Sequence, residues 1–319
     1  MTSVWSELNH DTRFAAVEEA IGKKLSSLLR KRNSYINRVY ELEVQGTKER
    51  LVAKFYRPGR WTPKMIQEEH TFLKELEKNE IPVIPPLSFG GKTIFGLGHI
   101  AFALFPKKGG RALDEFDKQG WETLGRIIAR MHLVGASHKA SGRISWKPSS
   151  ATRHHLEVLL SGGWVLDDFR STLKEASEEF IKKAEPHFSG HESILLHGDM
   201  HKGNLIHRAG EGTFIIDFDD ISFGPPVQDI WMLLPGEPED CENELAWFLK
   251  GYETFREFDR GSLNLVSALR GMRLIHFASW LSVQSRDPDF SRHFPEAGNR
   301  RYWNQLIKDI HEIVYERIF

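Results

Sequence analysis

The chain is almost without cysteine: Cys241 is the only one in 319 residues. No intramolecular disulfide can form, and the acidic neighbours Glu239, Asp240 and Glu242 work against a reactive thiolate. A reducing compartment fits this, and a cytoplasmic location is expected. Charge of one sign is also missing, since 43 Lys and Arg meet 44 Asp and Glu for a net charge of −1. Such a balance creates no global field for nucleic acid or an anionic membrane, so neither is expected as a partner. No apolar run approaches the length that spans a bilayer. The opening M-T-S-V-W-S-E-L-N-H-D has no basic stretch followed by an apolar core, so it does not read as a secretory signal. Internal repeats and low-complexity tracts are lacking as well. What is present is a chain with 40% hydrophobic residues, enough to build one large or two moderate domains.

The most informative stretch runs from Leu195 to Asp220 and reads L-L-H-G-D-M-H-K-G-N-L-I-H-R-A-G-E-G-T-F-I-I-D-F-D-D. Gly198 and Gly203 permit sharp turns. Leu205 and Ile206 read as a short strand, Glu211-Gly212 as a hairpin turn, and Phe214 to Ile216 as the returning strand. The hairpin brings Asp217 back beside Asn204, where an amide and a carboxylate can share one Mg²⁺, a cation that prefers oxygen ligands. Asp199 lies in the loop before the hairpin, where an attacking hydroxyl would meet a terminal phosphate. A carboxylate for the hydroxyl proton and two groups for the metal are what phosphoryl transfer from a magnesium nucleotide needs. A rival reading takes His197, Asp199 and His201 as ligands of a hydrolytic transition metal. It leaves Asn204 and the Asp217–Asp219 run unexplained. An ordinary loop and hairpin is the third reading, disfavoured because acidic clusters at the end of apolar strands need solvent, a partner or a metal.

Along the rest of the chain the pattern divides in two. Thr12 to Leu29 has helical spacing. Tyr35–Val44 and Arg50–Arg57 read as paired strands joined across Gln45–Lys48, with Leu51, Ala53 and Phe55 on one face and Val52, Lys54 and Tyr56 on the other. A lysine in such a strand is either an edge residue whose stem snorkels or a phosphate ligand. Thr62-Pro63 starts a helix that runs to about Asn79. Strand-like segments cover Leu87–Phe89, Lys92–Gly98 and Ile100–Phe105, and Pro106–Gly110 breaks the pattern. Beyond it the spacing predicts helices over Trp121–His138, Ala151–Leu160, Val165–Ala184, Glu242–Phe258, Leu263–Gln284 and Tyr302–Ile318. Arg270 and Arg273 share a helix face. They either line an acidic acceptor's pocket or pair with the protein's own carboxylates, and the second is the default.

H-G-D-M-H-K-G-N followed by I-D-F-D-D resembles the catalytic signature of the aminoglycoside phosphotransferase and choline kinase group, a branch of the protein-kinase-like fold. N-S-Y-I-N-R-V-Y (Asn33–Tyr40), A-K-F-Y-R-P-G-R-W (Ala53–Trp61) and G-P-P-V-Q-D-I-W-M-L-L (Gly224–Leu234) are similar to segments of the stress response kinase A family, which are bacterial protein Ser/Thr kinases. The resemblance spans nearly the whole chain. It implies an α+β, two-lobed fold: a nucleotide-binding lobe over 1–106, with a small antiparallel sheet and one main helix, and a larger, mostly helical lobe over 107–319. It implies ATP as co-substrate, Mg²⁺ held by Asn204 and Asp217, and Asp199 as the carboxylate facing the acceptor hydroxyl. Lys54 would hold the nucleotide phosphates, with Glu69 orienting it in preference to Glu68, since the pattern E-x-x-x-L selects Glu69. Backbone groups at Ala103–Phe105 would hold adenine, with Phe105 at the hinge. Asp229 would brace the catalytic loop, and His132 would have a structural hydrogen bond. The implied acceptor is a Ser or Thr of a protein, the enzyme itself included, in a stress response, and the enzyme is expected to be a monomer. The alternative is a small-molecule kinase of the aminoglycoside, choline or homoserine kinase type. One departure stands out. Where kinases cover the phosphates with a glycine-rich loop, Arg32–Arg38 has no glycine, so Ser34 and Asn37 are expected to replace part of the backbone contact.

Overall fold

In the computed structural model, residues 4–317 are described apart from 33, 114, 140 and 141. The first helix, α1 (His10–Ile21), is opened by Asn9, whose side chain accepts from the Thr12 amide while Thr12 returns the bond to Asn9. It is shorter than the spacing predicted. Gly22, at φ 65°, ends it in a left-handed cap, and the chain then enters β1 (Leu25–Lys31). Leu25 and Leu28 therefore belong to a strand, although their spacing continued the helical pattern.

β2 (Arg38–Val44) and β3 (Arg50–Phe55) pair antiparallel, with Val39 opposite Lys54 and Leu42 opposite Leu51. The turn falls where it was expected, and the first strand begins three residues later than predicted. Asn33, within the expected phosphate loop, lies outside the described residues. Helix α2 (Pro63–Lys78) starts at Thr62, whose hydroxyl accepts from the Met65 amide. Of the strand-like segments that follow, only β4 (Phe95–Leu97) and β5 (Ile100–Pro106) are strands, while Phe89 and Lys92 form an isolated bridge. The sheet order is β1-β2-β3-β5-β4, so β3 is central. One face carries Leu51, Ala53 and Phe55 into a core with Val17, Leu42, Phe102 and Leu104. On the other face Tyr56 packs with Ile66 and Ala103.

After β6 (Arg111–Ala112) come α3 (Lys118–Ser137), α4 (Arg153–Ser161) and α5 (Asp167–Ala184), all within a few residues of the predicted helices. β7 (Ile194–Leu196) precedes the hairpin of β8 (Leu205–Arg208) and β9 (Gly212–Ile215), and β10 (Ser222–Gly224) returns to pair with β7. Then follow α6 (Gln228–Trp231), α7 (Glu242–Tyr252), α8 (Val266–Gln284), α9 (Phe290–His293) and α10 (Arg300–Glu312). The predicted end of the last helix, Ile318, lies outside the described residues.

The chain forms two compact, interleaved units. The first is built within residues 1–142, 201–221 and 246–256, the second within 143–200, 222–245 and 257–319. The first contains the five-stranded sheet, α2, α3 and the β8–β9 hairpin, with β6 added to the hairpin's edge. The second contains the β7–β10 pair and the helices α4, α5, α6 and α8 to α10.

Candidate active site

Lys54 sits on the central strand, opposite Val39 of β2 and Ala103 of β5, so it is not an edge lysine. Its side chain is 11% exposed. A buried ammonium needs partners, and this one has three. It donates to Asp219 in a short contact and to Asp217 Oδ1 at 3.3 Å, and Glu69 Oε1 lies 3.7 Å away. Burial alone would lower the Lys54 ammonium, but the carboxylates of Asp219, Glu69 and Asp217 outweigh it and hold it well above the ordinary lysine range. Burial would likewise raise Asp219. Lys54, Arg60 and a hydrogen bond from Asn37 hold it below the usual carboxylate range.

Each member of this cluster is placed by its own element. Strand alternation turns Lys54 and Tyr56 to the same side. On α2, Glu69 is buried and Glu68 is only half-buried. Tyr56 Oη lies 3.5 Å from Glu69 Oε1 and 3.0 Å from His70 Nε2, and His70 Nδ1 meets Thr93 Oγ1 at 2.9 Å. Burial, aided by Lys54 and Lys74, pushes His70 down to about 3, so it is neutral and its ring bonds fix Tyr56 beside Glu69. The acidic run is anchored by Phe218, which is buried edge-on against Phe72 of α2. Asp217 adopts a left-handed φ of 64°, a costly conformation for a non-glycine residue that clusters at functional sites.

The hairpin brings Asn204 beside this run, because Leu205 pairs with Ile215 and the Ile216 amide donates to the Asn204 carbonyl at 3.0 Å. Asn204 is buried, and the Asp217 side chain is 55% exposed. An amide oxygen and a half-exposed carboxylate are hard donors that suit Mg²⁺. Among the described residues, no three His, Cys, Asp or Glu side chains converge as a metal site. The histidines of the rival reading brace backbone instead: the Asp199 amide donates to His197 Nδ1 at 3.3 Å and the Gly203 amide to His201 Nδ1 at 3.0 Å.

In the second unit, β7 runs into the loop that carries Asp199. Asp229 is fully buried and takes both amides of this loop's start: Oδ2 accepts from His197 N at 2.8 Å and Oδ1 from Gly198 N at 2.9 Å. Gly198 itself turns at φ 83°, where only glycine is comfortable. Arg273 Nη2 on α8 donates to Asp199 Oδ1 at 2.9 Å. Arg270 pairs with Glu237 at 3.0 Å, so both arginines are paired with the protein's own carboxylates, as the default reading had it. His132 is buried with Nδ1 2.9 Å from Tyr252 Oη, the structural hydrogen bond the resemblance implied.

The expected hinge residue Phe105 is partly buried, lies opposite Val52 and packs on the Tyr56–Ile66–Ala103 cluster. The adjacent Leu104 carbonyl accepts from Leu87 N at 2.7 Å. Ser34 is partly buried between β1 and β2.

Two functional candidates, Asp219 and Arg60, were not singled out from sequence, and Asn37, expected at the phosphates, joins them. Asp219 makes the shortest contact with Lys54, Asn37 Nδ2 donates to Asp219 Oδ2 at 2.6 Å, and Arg60 clasps both oxygens of Asp220 at 2.7 and 2.8 Å. Two cations of A-K-F-Y-R-P-G-R-W thus grip the two final acids of I-D-F-D-D. The visible signal was a pair of basic residues in one conspicuous segment and a pair of acids in another.

A model of the phosphotransferase enzyme family matches residues 29–265. The chain belongs to that family. Within it, the protein is 35% identical over 301 residues to stress response kinase A of Escherichia coli K12, covering 93% of this chain and 89% of that one. It is 33% identical over 278 residues to the serine/threonine protein kinase RdoA of Salmonella typhimurium LT2, covering 86% and 83%. Among solved structures, amicoumacin kinase hAmiN in complex with AMP-PNP, Ca²⁺ and Ami is similar with a TM-score of 0.74 at 19% identity, covering 96% of this chain and 93% of that one. A microcompartment-associated aminopropanol kinase is similar with a TM-score of 0.67 at 20% identity, with 95% of each chain covered. The fold is therefore the α+β, protein-kinase-like fold of these phosphotransferases.

Proposed function

We propose that this phosphotransferase is an ATP-dependent protein serine/threonine kinase acting in a bacterial stress response. The observation that carries the reading is the buried Lys54 ammonium between Glu69 of α2 and the acids that follow the hairpin. The relatives named as a stress response kinase and as a serine/threonine protein kinase support the finer assignment. A small-molecule kinase would share the same catalytic groups, and the fold's solved members include kinases named for amicoumacin and aminopropanol. Nucleotide binding would fall to residues 1–106 and the metal-holding hairpin, the acceptor to the helical part, 107–319.

In this reading Asn204 and Asp217 would hold Mg²⁺, which neutralises charge on the transferring phosphoryl group. Lys54 would turn its ammonium to nucleotide phosphate oxygens, with Glu69 orienting it and Asp219 giving up part of its hold. Asn37 ties the glycine-free segment before β2 to this cluster, donating to Asp219 while its own Oδ1 accepts from Arg57 N at 3.2 Å. That tether would take over part of a glycine loop's work, with Ser34 as a nucleotide contact and Phe105 beside adenine. Asp199 would receive, or orient, the proton of the acceptor hydroxyl. With Arg273 on one of its oxygens and the loop fixed by Asp229, positioning is its main contribution.

Thermal unfolding with and without Mg-ATP tests the nucleotide part. A ligand at about 100 times its Kd adds about 2.7 kcal/mol of stability, so Tm should rise with Mg-ATP and the rise should vanish in Lys54→Ala. A shift with Zn²⁺ and none with any nucleotide would return the rival hydrolase reading.

A further inference from the structure

The second unit has a cavity of about 420 Å³ whose wall includes Trp231, Arg270, Arg273, Phe277, Glu312 and Arg317. One of these residues, Arg273, is bonded to Asp199, the carboxylate assigned to the acceptor hydroxyl. We propose that this cavity is the acceptor site and that it takes a polypeptide segment in which the Ser or Thr is flanked by an acidic residue and an apolar one. The proposal rests on the phosphotransferase reading of Asp199 and specifies its substrate class.

The wall has more hydrogen-bond donors than acceptors. A guanidinium offers five N–H groups. Glu237 Oε1 alone serves two of these arginines, Arg270 at 3.0 Å and Arg317 at 2.9 Å. Arg317 also takes Glu312 at 2.8 Å. Arg270 Nε is buried and makes no hydrogen bond. The remaining wall carboxylate, Asp309, accepts from Gln305 at 2.7 Å. An incoming carboxylate would meet this donor surplus in the bidentate geometry that arginine favours. An ammonium would face three guanidiniums, and like charges at an interface repel.

The apolar requirement comes from the same wall. Arg270 lies over the Trp231 ring at 5.1 Å. Phe277 is 49% exposed and stacks on Trp280 with ring centres 5.6 Å apart. Phe277 and Trp280 stand at helical spacing along α8 with Leu274, leading away from Arg273. A side chain laid on them would be covered while its neighbour's hydroxyl stays near Asp199.

Three labelled Ser peptides with the same apolar flank test this, one with Glu, one with Gln and one with Lys beside the Ser. Each is measured for binding to the full chain without nucleotide, and for phosphorylation with Mg-ATP. The Glu peptide should bind at least about tenfold more tightly than the Lys peptide, a difference of one such charge contact. Arg270→Gln should remove about tenfold from the Glu peptide, while the ATP KM holds. Arg317→Glu should reverse the order and favour the Lys peptide, a gain that a misfolded protein would not produce. Charge-indifferent binding, preference for Lys in the parent, an order unmoved by either substitution, or binding of small acidic alcohols in place of peptides would overturn the proposal. Binding through these arginines with no phosphate transferred to any acceptor would retire the kinase reading and leave the site. Phosphate transferred without regard to charge would retire the site and leave the kinase reading.

Discussion

Lys54 and Asp219 form a pair whose sign and pH window follow from their surroundings. Asp219 is depressed in the fold, so it contributes stability above the ordinary carboxylate pKa of about 3.9, and that stability is lost as pH falls through its folded value. Lys54 is raised, so its contribution is complete below the ordinary lysine pKa of about 10.4 and is lost as pH rises through its folded value. The pair is therefore charged across the neutral range. A Tm series against pH should show an acid limb that is shallower in Asp219→Asn, and an unchanged limb would mean the pair adds nothing to stability. Asp229 supports a second prediction. Removing its carboxylate leaves two buried amides, His197 N and Gly198 N, without their acceptors. Each such loss costs about 1–3 kcal/mol, so Asp229→Ala should lower the free energy of unfolding by about 2–6 kcal/mol in denaturant titrations.

Secondary structure divides into what local pattern controls and what it does not. Thr62-Pro63 marked the start of α2, and alternation along Arg50–Arg57 put Lys54 and Tyr56 together, because both signals are local. The hairpin was readable for the same reason: Asn204 and Asp217 are joined by twelve residues with a glycine turn. The end of α1 was hidden because Leu25 and Leu28 stay in phase with the helix after Gly22 has left it. Asp219 was hidden more deeply, since its partner Lys54 is 165 residues away and nothing local distinguishes it from Asp220. Helix contacts are likewise invisible locally. A Cβ on Gly251 of α7 would lie 1.9 Å from the Glu122 carbonyl oxygen of α3, and one on Gly125 would lie 2.1 Å from that of Phe248. Backbone cannot yield as a flexible side chain can, so Gly251→Ala should cost about 3 kcal/mol, the upper end for overpacking. Since a domain of this size loses about 2–4 °C per kcal/mol, Tm should fall by roughly 6–12 °C. An unchanged Tm would contradict the close approach of α3 and α7.

For the molecule as a whole, near-neutral charge means that specificity has to come from local arrangements such as the Lys54 ammonium among its carboxylates and the arginine-lined cavity, proposed above for nucleotide and acceptor. Membership in the phosphotransferase enzyme family covers most of the chain, and the groups proposed as catalytic are drawn from segments far apart in sequence. Function should therefore fail at single residues without loss of the fold. The measurement that tests this most directly follows labelled phosphate from ATP, with Mg²⁺, a generic protein acceptor and a panel of small alcohols, in the parent and in Asp217→Ala. Label should appear on Ser or Thr of protein in the parent and fall by about 100-fold or more in the variant, which lacks the carboxylate proposed to hold the charge-neutralising Mg²⁺. Turnover of Asp217→Ala at the parent rate, or label found only on a small alcohol, would contradict the account.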